Sequence, residues 1–309
     1  MHGPWLGSMA RVRPILSICA ALVLDGLLRD PPNSLHPVSY FGRSAGVIER
    51  ISYGDSILRG AAAWLVLVAS SVLLGSLGGE SMLTSPAILW ITLGGGSLAK
   101  AATAVLGRLE EGDPASAKRE LAALVGRDTR DMDETSILRA VIESIAENAN
   151  DAVFAPLLWY SLAGSKGAAG VRAINTLDAM FGHRTARYRR FGFLSAKADD
   201  LVMCPSAVLG SFAIYAAADR GSRGSIRRLI GLAARHPSLN AGLMEAAFSG
   251  ALGVDLGGIN YYGGEPVATP EFSGGRPVAR LDVVRAIRLM RRSTLYLAAL
   301  AGVAGVILG

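Results

Sequence analysis

The stretch Ala61–Leu77, AAAWLVLVASSVLLGSL, decides the fold class, because it contains no charged residue. A run of this length approaches the roughly 17–25 residues that a helix needs to cross a hydrocarbon core. Pro86–Ala99 (PAILWITLGGGSLA), Leu201–Ala218 (LVMCPSAVLGSFAIYAAA) and Ser293–Gly309 repeat the pattern. Composition agrees: of 309 residues 51% are apolar and 18% charged, with a mean hydropathy of +0.37. A soluble domain is about one-quarter charged, and buried helices of a soluble protein keep a polar edge that these runs lack. The expectation is an all-α, polytopic integral membrane protein with about 4–6 transmembrane or re-entrant helices and helical cytoplasmic segments.

Working outward, Ile15–Leu28 is a further apolar run, interrupted by Asp25 and preceded by Arg11 and Arg13. It has the look of a signal peptide, but no small-residue cleavage site follows, so it reads as a retained helix. Met9 opens MARVRPILS, so residues 1–8 read as a start-site extension. The net charge of +6 fits cytoplasmic loops under the positive-inside rule. With no basic stripe interleaved with aromatics, nucleic-acid binding is not expected. Cys19 and Cys204 lie in apolar segments and imply neither a disulfide framework nor a zinc site. Residues 1–309 read as one membrane-embedded domain whose polar segments are 29–59, 108–200 and 219–292. If both long polar sections face the cytoplasm, one apolar segment between them must fail to cross or must pair with another.

The polar sections are themselves patterned. Asp113-Pro114 is a helix start, an N-cap with Pro at N1. Residues 133–148 form an amphipathic helix with Ile137, Val141 and Ile145 on its apolar side. Ala152–Ala163, interrupted by Pro156, is short for a crossing and suits a re-entrant or interfacial helix. Between them lies ESIAENANDAVFAP, Glu143–Pro156. On a continuous helix Glu143, Glu147 and Asp151 stack four apart on one face, where like charges repel. Such a face asks for a cation, either a divalent metal or a partner arginine.

Four further stretches carry polar groups. In DGLLRDPPNSLHPVSYFGR, residues 25–43, Asp25 is a carboxylate within an apolar run and the prolines force an extended loop. His36 there is either a loop histidine holding a turn or a ligand contact. GRDTRDMDE, residues 126–134, is a solvated charge run or part of a site through Arg127 and Asp128. RAINTLDAMFGHRTARYRRFGFLSAKADD, residues 172–200, mixes Asn175, Asp178, Asp199 and Asp200 with arginines whose forks match phosphate or carboxylate. RHPSLNAGLMEAAFSGALGVDLGGINYYGG, residues 235–264, repeats the His-Pro pair. Its glycines read as small-residue helix packing or close backbone approach. No Walker A, GxGxxG, HExxH or GxSxG motif is present. Together these groups suit a substrate rich in phosphate or carboxylate, with Mg²⁺ held by one or two carboxylates plus substrate phosphates.

In their order along the chain, DPPNSLHPVSYFGR, GRDTRDMDE, IESIAENANDAVFAPLLWY, RAINTLDAMFGHRTARYRRFG, KADDLV and HPSLNAGLMEAAFSGALGVDLGG…YYGG resemble the adenosylcobinamide-phosphate synthase (cobinamide synthase) family of cobalamin biosynthesis. The resemblance runs from about Asp25 to Arg292. It implies an amide-forming, acid–amine ligase step. The propionate carboxylate of adenosylcobyric acid is joined to aminopropanol phosphate, or to aminopropanol, with ATP as co-substrate and Mg²⁺. Carried over by position, Glu143, Glu147, Asp151 and Asp128 are the candidate catalytic residues, with Mg²⁺ on Glu143, Glu147 and Asp151. Substrate contacts fall to Asp30, His36, Arg127, Asn148, Asn175, Asp178, Arg184, Tyr188, Arg189, Asp199, Asp200, His236, Asn240 and Glu245. The chain departs from the family pattern at Arg29, where glycine is common, and at Ala149, Ala152, His183 and Leu239. The implied setting is the cell (inner) membrane, with active-site loops on the cytoplasmic side and other cobalamin-pathway enzymes as partners. A transporter for a corrinoid or other anion, and a Mg²⁺-dependent phosphoalcohol transferase, are the alternatives. The absence of duplicated halves counts against the first, and the lack of one evenly spaced aspartate motif against the second.

Overall fold

The computed structural model describes residues 4–78, 80–183, 185–219, 231–272 and 274–308. In chain order its helices are α1 (Pro4–Leu28), α2 (Pro37–Ser52), α3 (Ile57–Leu77), α4 (Thr84–Thr92), α5 (Gly95–Glu110), α6 (Pro114–Ala122) and α7 (Glu134–Ala149). A π turn, Asn150–Phe154, leads into α8 (Ala155–Phe181), followed by α9 (Tyr188–Phe191) and α10 (Phe193–Ala217). Then come α11 (Leu239–Leu252), strands β1 (Leu256–Tyr262) and β2 (Glu265–Phe272), and α12 (Arg280–Leu308). The protein is thus all-α apart from one hairpin. Among the described residues three helical stretches are long and apolar enough to cross a membrane: Ile57–Leu77, Thr84–Glu110 and Phe193–Ala217. The apolar runs Ile15–Leu28 and Ser293–Leu308 are parts of α1 and α12.

Contacts divide the chain into two units, 1–96 with 151–206 and 297–309, and 97–150 with 207–296. The first is built around α8, which is not one straight rod. Gly164 has φ 63° and ψ −153°, a conformation closed to residues with a Cβ. A Cβ on Gly167 would lie 2.2 Å from the Trp159 carbonyl oxygen, and Asn175 Nδ2 donates to Asp151 Oδ2 at 3.2 Å. Residues so far apart on a helix meet only if the chain reverses, so 155–163 and 165–181 are two arms of a helical hairpin with Gly164 at its tip. The first arm spans about 13 Å at 1.5 Å per residue, well short of a hydrocarbon core of ~30 Å. A short arm is what the apolar run Ala152–Ala163 predicts, as a re-entrant or interfacial helix.

Glu80 fastens the tip. Its Oε1 accepts the Ser165 backbone N–H at 2.7 Å, which caps the second arm with a negative charge, and its Oε2 accepts from Ser85 Oγ at 2.9 Å. Ser85 Oγ also meets the Tyr160 hydroxyl on the first arm. Along the second arm, α3 approaches closely at Gly75 and Gly170, and Ser71 Oγ donates to the Ala169 carbonyl at 3.0 Å.

The Thr84–Glu110 stretch is broken at Leu93-Gly94. Gly94 N–H donates to the Ala152 carbonyl at 2.9 Å, and Gly96 N–H to Asp25 Oδ2 at 2.9 Å. Asp25, 7% exposed in its apolar helix, therefore lies at the N-terminus of α5, where the helix dipole favours an anion.

The sequence reading takes 29–59 as a polar loop; residues 37–52 of it form α2. His36 is extended, as a residue before proline must be, and its Nδ1 accepts the Val38 N–H at 3.1 Å to cap that helix. Pro37 sits in its first turn, where its missing N–H costs nothing.

In the second unit Asp113 and Asp133 cap α6 and α7 by accepting from Ser116 N at 2.9 Å and Ser136 N at 2.8 Å. The apolar side of α7, including Ile137, Ile142 and Ile145, is fully buried and packs against α6 and α11. Ser238 caps α11, which ends in left-handed Gly253. The glycines beyond it belong to an antiparallel hairpin, not to helix packing in the membrane. Gly263 and Gly264, with φ 61° and 86°, make the two-residue turn between Tyr262 and Glu265. Ser249 Oγ near the end of α11 reaches the Val254 and Phe272 carbonyls at 2.7 and 2.9 Å, fixing the base of the hairpin.

Candidate functional site

The residues singled out from the sequence fall into two sets, one in each unit. In the second unit the centre is Glu143, on the buried side of α7. Its Oε2 accepts from Arg127 at 2.6 Å, and its Oε1 accepts the Gly257 backbone N–H at 2.7 Å and lies 3.8 Å from Arg139 Nε. Arg127 also donates to Asn260 Oδ1 on β1. Arg139 NH1 donates to the Gly257 carbonyl at 2.6 Å. A carboxylate buried to 3% exposure is tolerable only with such partners. The glycine-rich approach of β1 is what lets one partner be a backbone N–H: at Gly257, φ is 82° and a Cβ would strike Pro270. Asp128 belongs to the same knot. Its N–H donates to the Tyr261 carbonyl at 2.8 Å, and its Oδ2 accepts the Gly264 N–H at 2.7 Å, so it holds the hairpin turn.

Facing this knot from α11 is Glu245, 8% exposed. Burial, with Glu143 and Glu147 near, pushes its carboxyl well above the usual range, against the pull of Arg127 and Arg139. His236 Nε2 stands 3.9 Å from Glu245 Oε2, and its Nδ1 lies 3.1 Å from the Ser238 N–H. Burial holds the His236 imidazole below its usual value, against the hydrogen bond to Ser238 and the charge of Glu143. The two His-Pro pairs thus play the same local part, since His36 Nε2 lies 3.8 Å from Asp30 Oδ1. Glu147 is exposed at the rim, Asn148 Nδ2 bonds back to the Ser144 carbonyl at 2.9 Å, and Asn240 is buried in the first turn of α11.

The first unit gathers carboxylates at the open end of the helical hairpin. Asn175 Nδ2 donates to Asp151 Oδ2 at 3.2 Å and to Asp199 Oδ1 at 3.4 Å. Asp178 and Asp200 lie within electrostatic reach of Asp199, and Lys197 bonds Asp200 at 3.3 Å. Arg172, one turn before Asn175, faces Asp30 and Asp151. It also closes one end of a cavity of about 690 Å³ lined mainly by apolar side chains of α2, α3, α4 and the second arm. Tyr188 packs its ring on Phe181 at 5.5 Å, and Arg189 is exposed on α9, so neither joins the carboxylates. Among the described arginines nearby, Arg187 bonds buried Glu49 at 2.6 Å and Arg190 lies 3.6 Å from Asp55. Arg184 lies outside the described residues.

The metal face read from the sequence needs correction. Regular α geometry stops at Ala149 and a π turn begins at Asn150, so the four-residue spacing that would place Asp151 beneath Glu147 is interrupted. Glu143 has already found its cation in Arg127, and Asp151 is bonded by Asn175. Among the described residues no group of three or more His, Cys, Asp or Glu side chains could hold a metal ion. Glu143, Glu147 and Asp151 therefore do not form a closed metal site by themselves. The sequence reading also passed over Arg139, Asn260 and Arg172. Arg139 sits four residues before Glu143, the spacing of a helical ion pair. Arg172, Asn175 and Asp178 recur at helical spacing as a polar stripe on an otherwise apolar helix.

A family model described as CobD/Cbib protein matches residues 18–290. A cobalamin biosynthesis protein CobD of Mycobacterium tuberculosis (strain ATCC 25618 / H37Rv) is 38% identical over 295 residues, covering 89% of this chain and 91% of that protein. The protein of the same name from Sinorhizobium fredii is 36% identical, covering 93% and 96%. That from Klebsiella pneumoniae is 37% identical, covering 94% and 97%. No solved structure matches. With both polar clusters lying inside the matched span, the chain belongs to the CobD/Cbib family.

Proposed function

We propose that this membrane protein acts in cobalamin biosynthesis, joining the amine of aminopropanol phosphate, or of aminopropanol, to the propionate carboxylate of adenosylcobyric acid. The amide product is adenosylcobinamide phosphate or adenosylcobinamide. Membership of a family whose curated members are named cobalamin biosynthesis proteins supports the pathway. The observation that carries the chemistry is the second-unit cluster, where Arg127 and Arg139 stand with the buried carboxyls of Glu143 and Glu245. Arg127 and Arg139 are cations fixed by Glu143 and Gly257, fit to receive a carboxylate or phosphate, while Glu147 and Glu245 suit an amine.

A carboxylate does not react with an amine until one oxygen becomes a leaving group, so Mg²⁺–ATP is the expected co-substrate. The metal would arrive largely held by nucleotide phosphates, as Mg²⁺ usually is. The chain's own contribution is placement: Arg127, Arg139 and Glu143 hold charge in a fixed array, and the first-unit carboxylates Asp151 and Asp199 are held apart by Asn175. The bilayer is its setting, and we place it in the cell (inner) membrane with the polar segments cytoplasmic, near other enzymes of the pathway.

The test is an assay of detergent-solubilised protein with adenosylcobyric acid, aminopropanol phosphate and Mg²⁺–ATP. The expected result is amide product, absent when any one component is withheld. No product under conditions in which a relative is active would overturn the reading.

A further inference from the structure

Among the described residues, the charges of the second-unit cluster do not balance. Two arginines, Arg127 and Arg139, stand among three glutamates, Glu143, Glu147 and Glu245. Glu143 takes hydrogen bonds or close contact from both arginines. Both arginines are turned toward Glu143, and among the described residues no lysine or arginine comes within ion-pair distance of Glu245. Other groups facing Glu245 do not supply a cation. His236, before α11, is held neutral by burial, and Tyr262 on β1 offers only a phenol. Among the described residues Glu245 Oε2 is buried and has no hydrogen-bond partner, and His236 Nε2 lies 3.9 Å from it.

A buried acid oxygen left unmated is costly unless something docks on it. We propose that Glu245 is the seat of a primary ammonium group, the missing cation being brought by the amine substrate, whose N–H groups donate to Oε2. This rests on the amide-forming reading and adds to it which carboxyl takes the amine. Without that ligand a proton meets the same need, in keeping with the upward push on the Glu245 carboxyl. An ammonium suits the place better than a divalent metal. Among the described residues no three ligating side chains converge there, whereas an ammonium needs only a few acceptors.

The experiment measures binding of aminopropanol phosphate, and of aminopropanol, to the full chain in detergent, for the wild type and Glu245→Gln. Propanediol phosphate, with a hydroxyl in place of the amine, is the control ligand. The wild type is expected to bind the amines at least about tenfold more tightly than the diol, a difference of one decade in Kd, and Glu245→Gln to lose that preference. In parallel, a hydrophobic carbodiimide is used to label Glu245 in the wild type, read by peptide mass spectrometry. Amine at ten times its Kd should slow that labelling about tenfold, and the diol or Mg²⁺ alone should not. If the variant fails to fold, labelling of the wild type decides. Wild-type protein with no preference for the amine, Glu245→Gln with unchanged preference, or labelling slowed equally by Mg²⁺ alone would each overturn the proposal. Amide synthesis with an amine KM indifferent to Glu245→Gln would sink this site and leave the function standing. Amine binding at Glu245 without any amide product would do the reverse.

Discussion

The two polar clusters are built on opposite principles. In the second unit the most buried carboxylate, Glu143, is surrounded by donors: two arginines and a backbone N–H, at distances from 2.6 to 3.8 Å. In the first-unit cluster the described carboxylates outnumber the described cations, and the buffer between Asp151 and Asp199 is the neutral amide of Asn175. A paired buried charge is expensive to unpair, because its partner is left behind in a medium that cannot solvate it. A crowd of like charges is expensive to keep, so removing one member relieves the rest. The first cluster thus has the signature of tension held for use, and the second that of a fixed scaffold with one opening, at Glu245.

The sharpest way to break this comparison is to remove a cation from the scaffold. Arg127→Ala takes from buried Glu143 its shortest charged partner and from Asn260 one of its donors, and should cost about 3–5 kcal/mol of stability. Thermal unfolding in detergent should fall markedly, with activity lost in step. A melting temperature within a degree or two of the wild type would mean that Glu143 is not held as described.

A pH titration of stability separates Glu245 from its paired neighbour. Its folded-state pKa is raised, so its stability contribution is complete below the ordinary value of 4.5 and is lost as pH rises toward the raised value. In that window the unfolded chain has given up the proton and the folded one has not, at a cost of up to about 1.4 kcal/mol per pH unit. The ligand-free protein should therefore melt progressively lower as pH is taken up from about 5, and Glu245→Gln should flatten that slope. A variant with the wild-type slope would show that the dependence arises elsewhere.

In the first unit the sign should reverse. Asp199→Asn and Asp151→Asn each remove an acid from beside others. Stability should hold or rise, by about 1 kcal/mol at most, while amide synthesis falls at least about tenfold if these carboxylates act on substrate. Raised stability with lost activity would support tension held for function. Lowered stability with unchanged activity would make the aspartates structural.

What could be read from the sequence, and what could not, follows the same physics. Membrane spans such as Ile57–Leu77 are legible because their signal is additive along the chain and needs no knowledge of partners. The re-entrant arm was legible from its length, but not its tip: Gly164 is one of 37 glycines, and only its contact with Glu80 marks it. The β-hairpin carried a local signal, Gly263-Gly264 between tyrosines and Glu265, which a glycine-rich helical context masked. The stack of Glu143, Glu147 and Asp151 was misread because a π turn changes the phase of a helix without changing its composition. The Gly257 N–H and the Asn260 amide that complete the knot around Glu143 and Arg127 lie more than a hundred residues away, and no spacing rule reaches that far.

The smallest effect tests whether Arg29 belongs to the first cluster or only to the end of a helix. Arg29 is the one described non-glycine residue with a positive φ, 60°, and its N–H closes α1 by donating to the Asp25 carbonyl at 3.1 Å. This is the left-handed position after a helix that glycine fills without strain. The exposed Arg29 side chain is one residue from Asp30, so its charge is available to the carboxylates in principle. If its role is only to end the helix, Arg29→Gly removes a strain of about 1 kcal/mol, part of which returns as extra freedom of the unfolded chain. The net expectation is a gain of roughly 0.5 kcal/mol, a rise of a degree or so in melting temperature, with unchanged synthesis rate. A fall in activity at unchanged or higher stability would instead make Arg29 a working cation of that cluster, and the excess of negative charge there would be smaller than the buried groups alone imply.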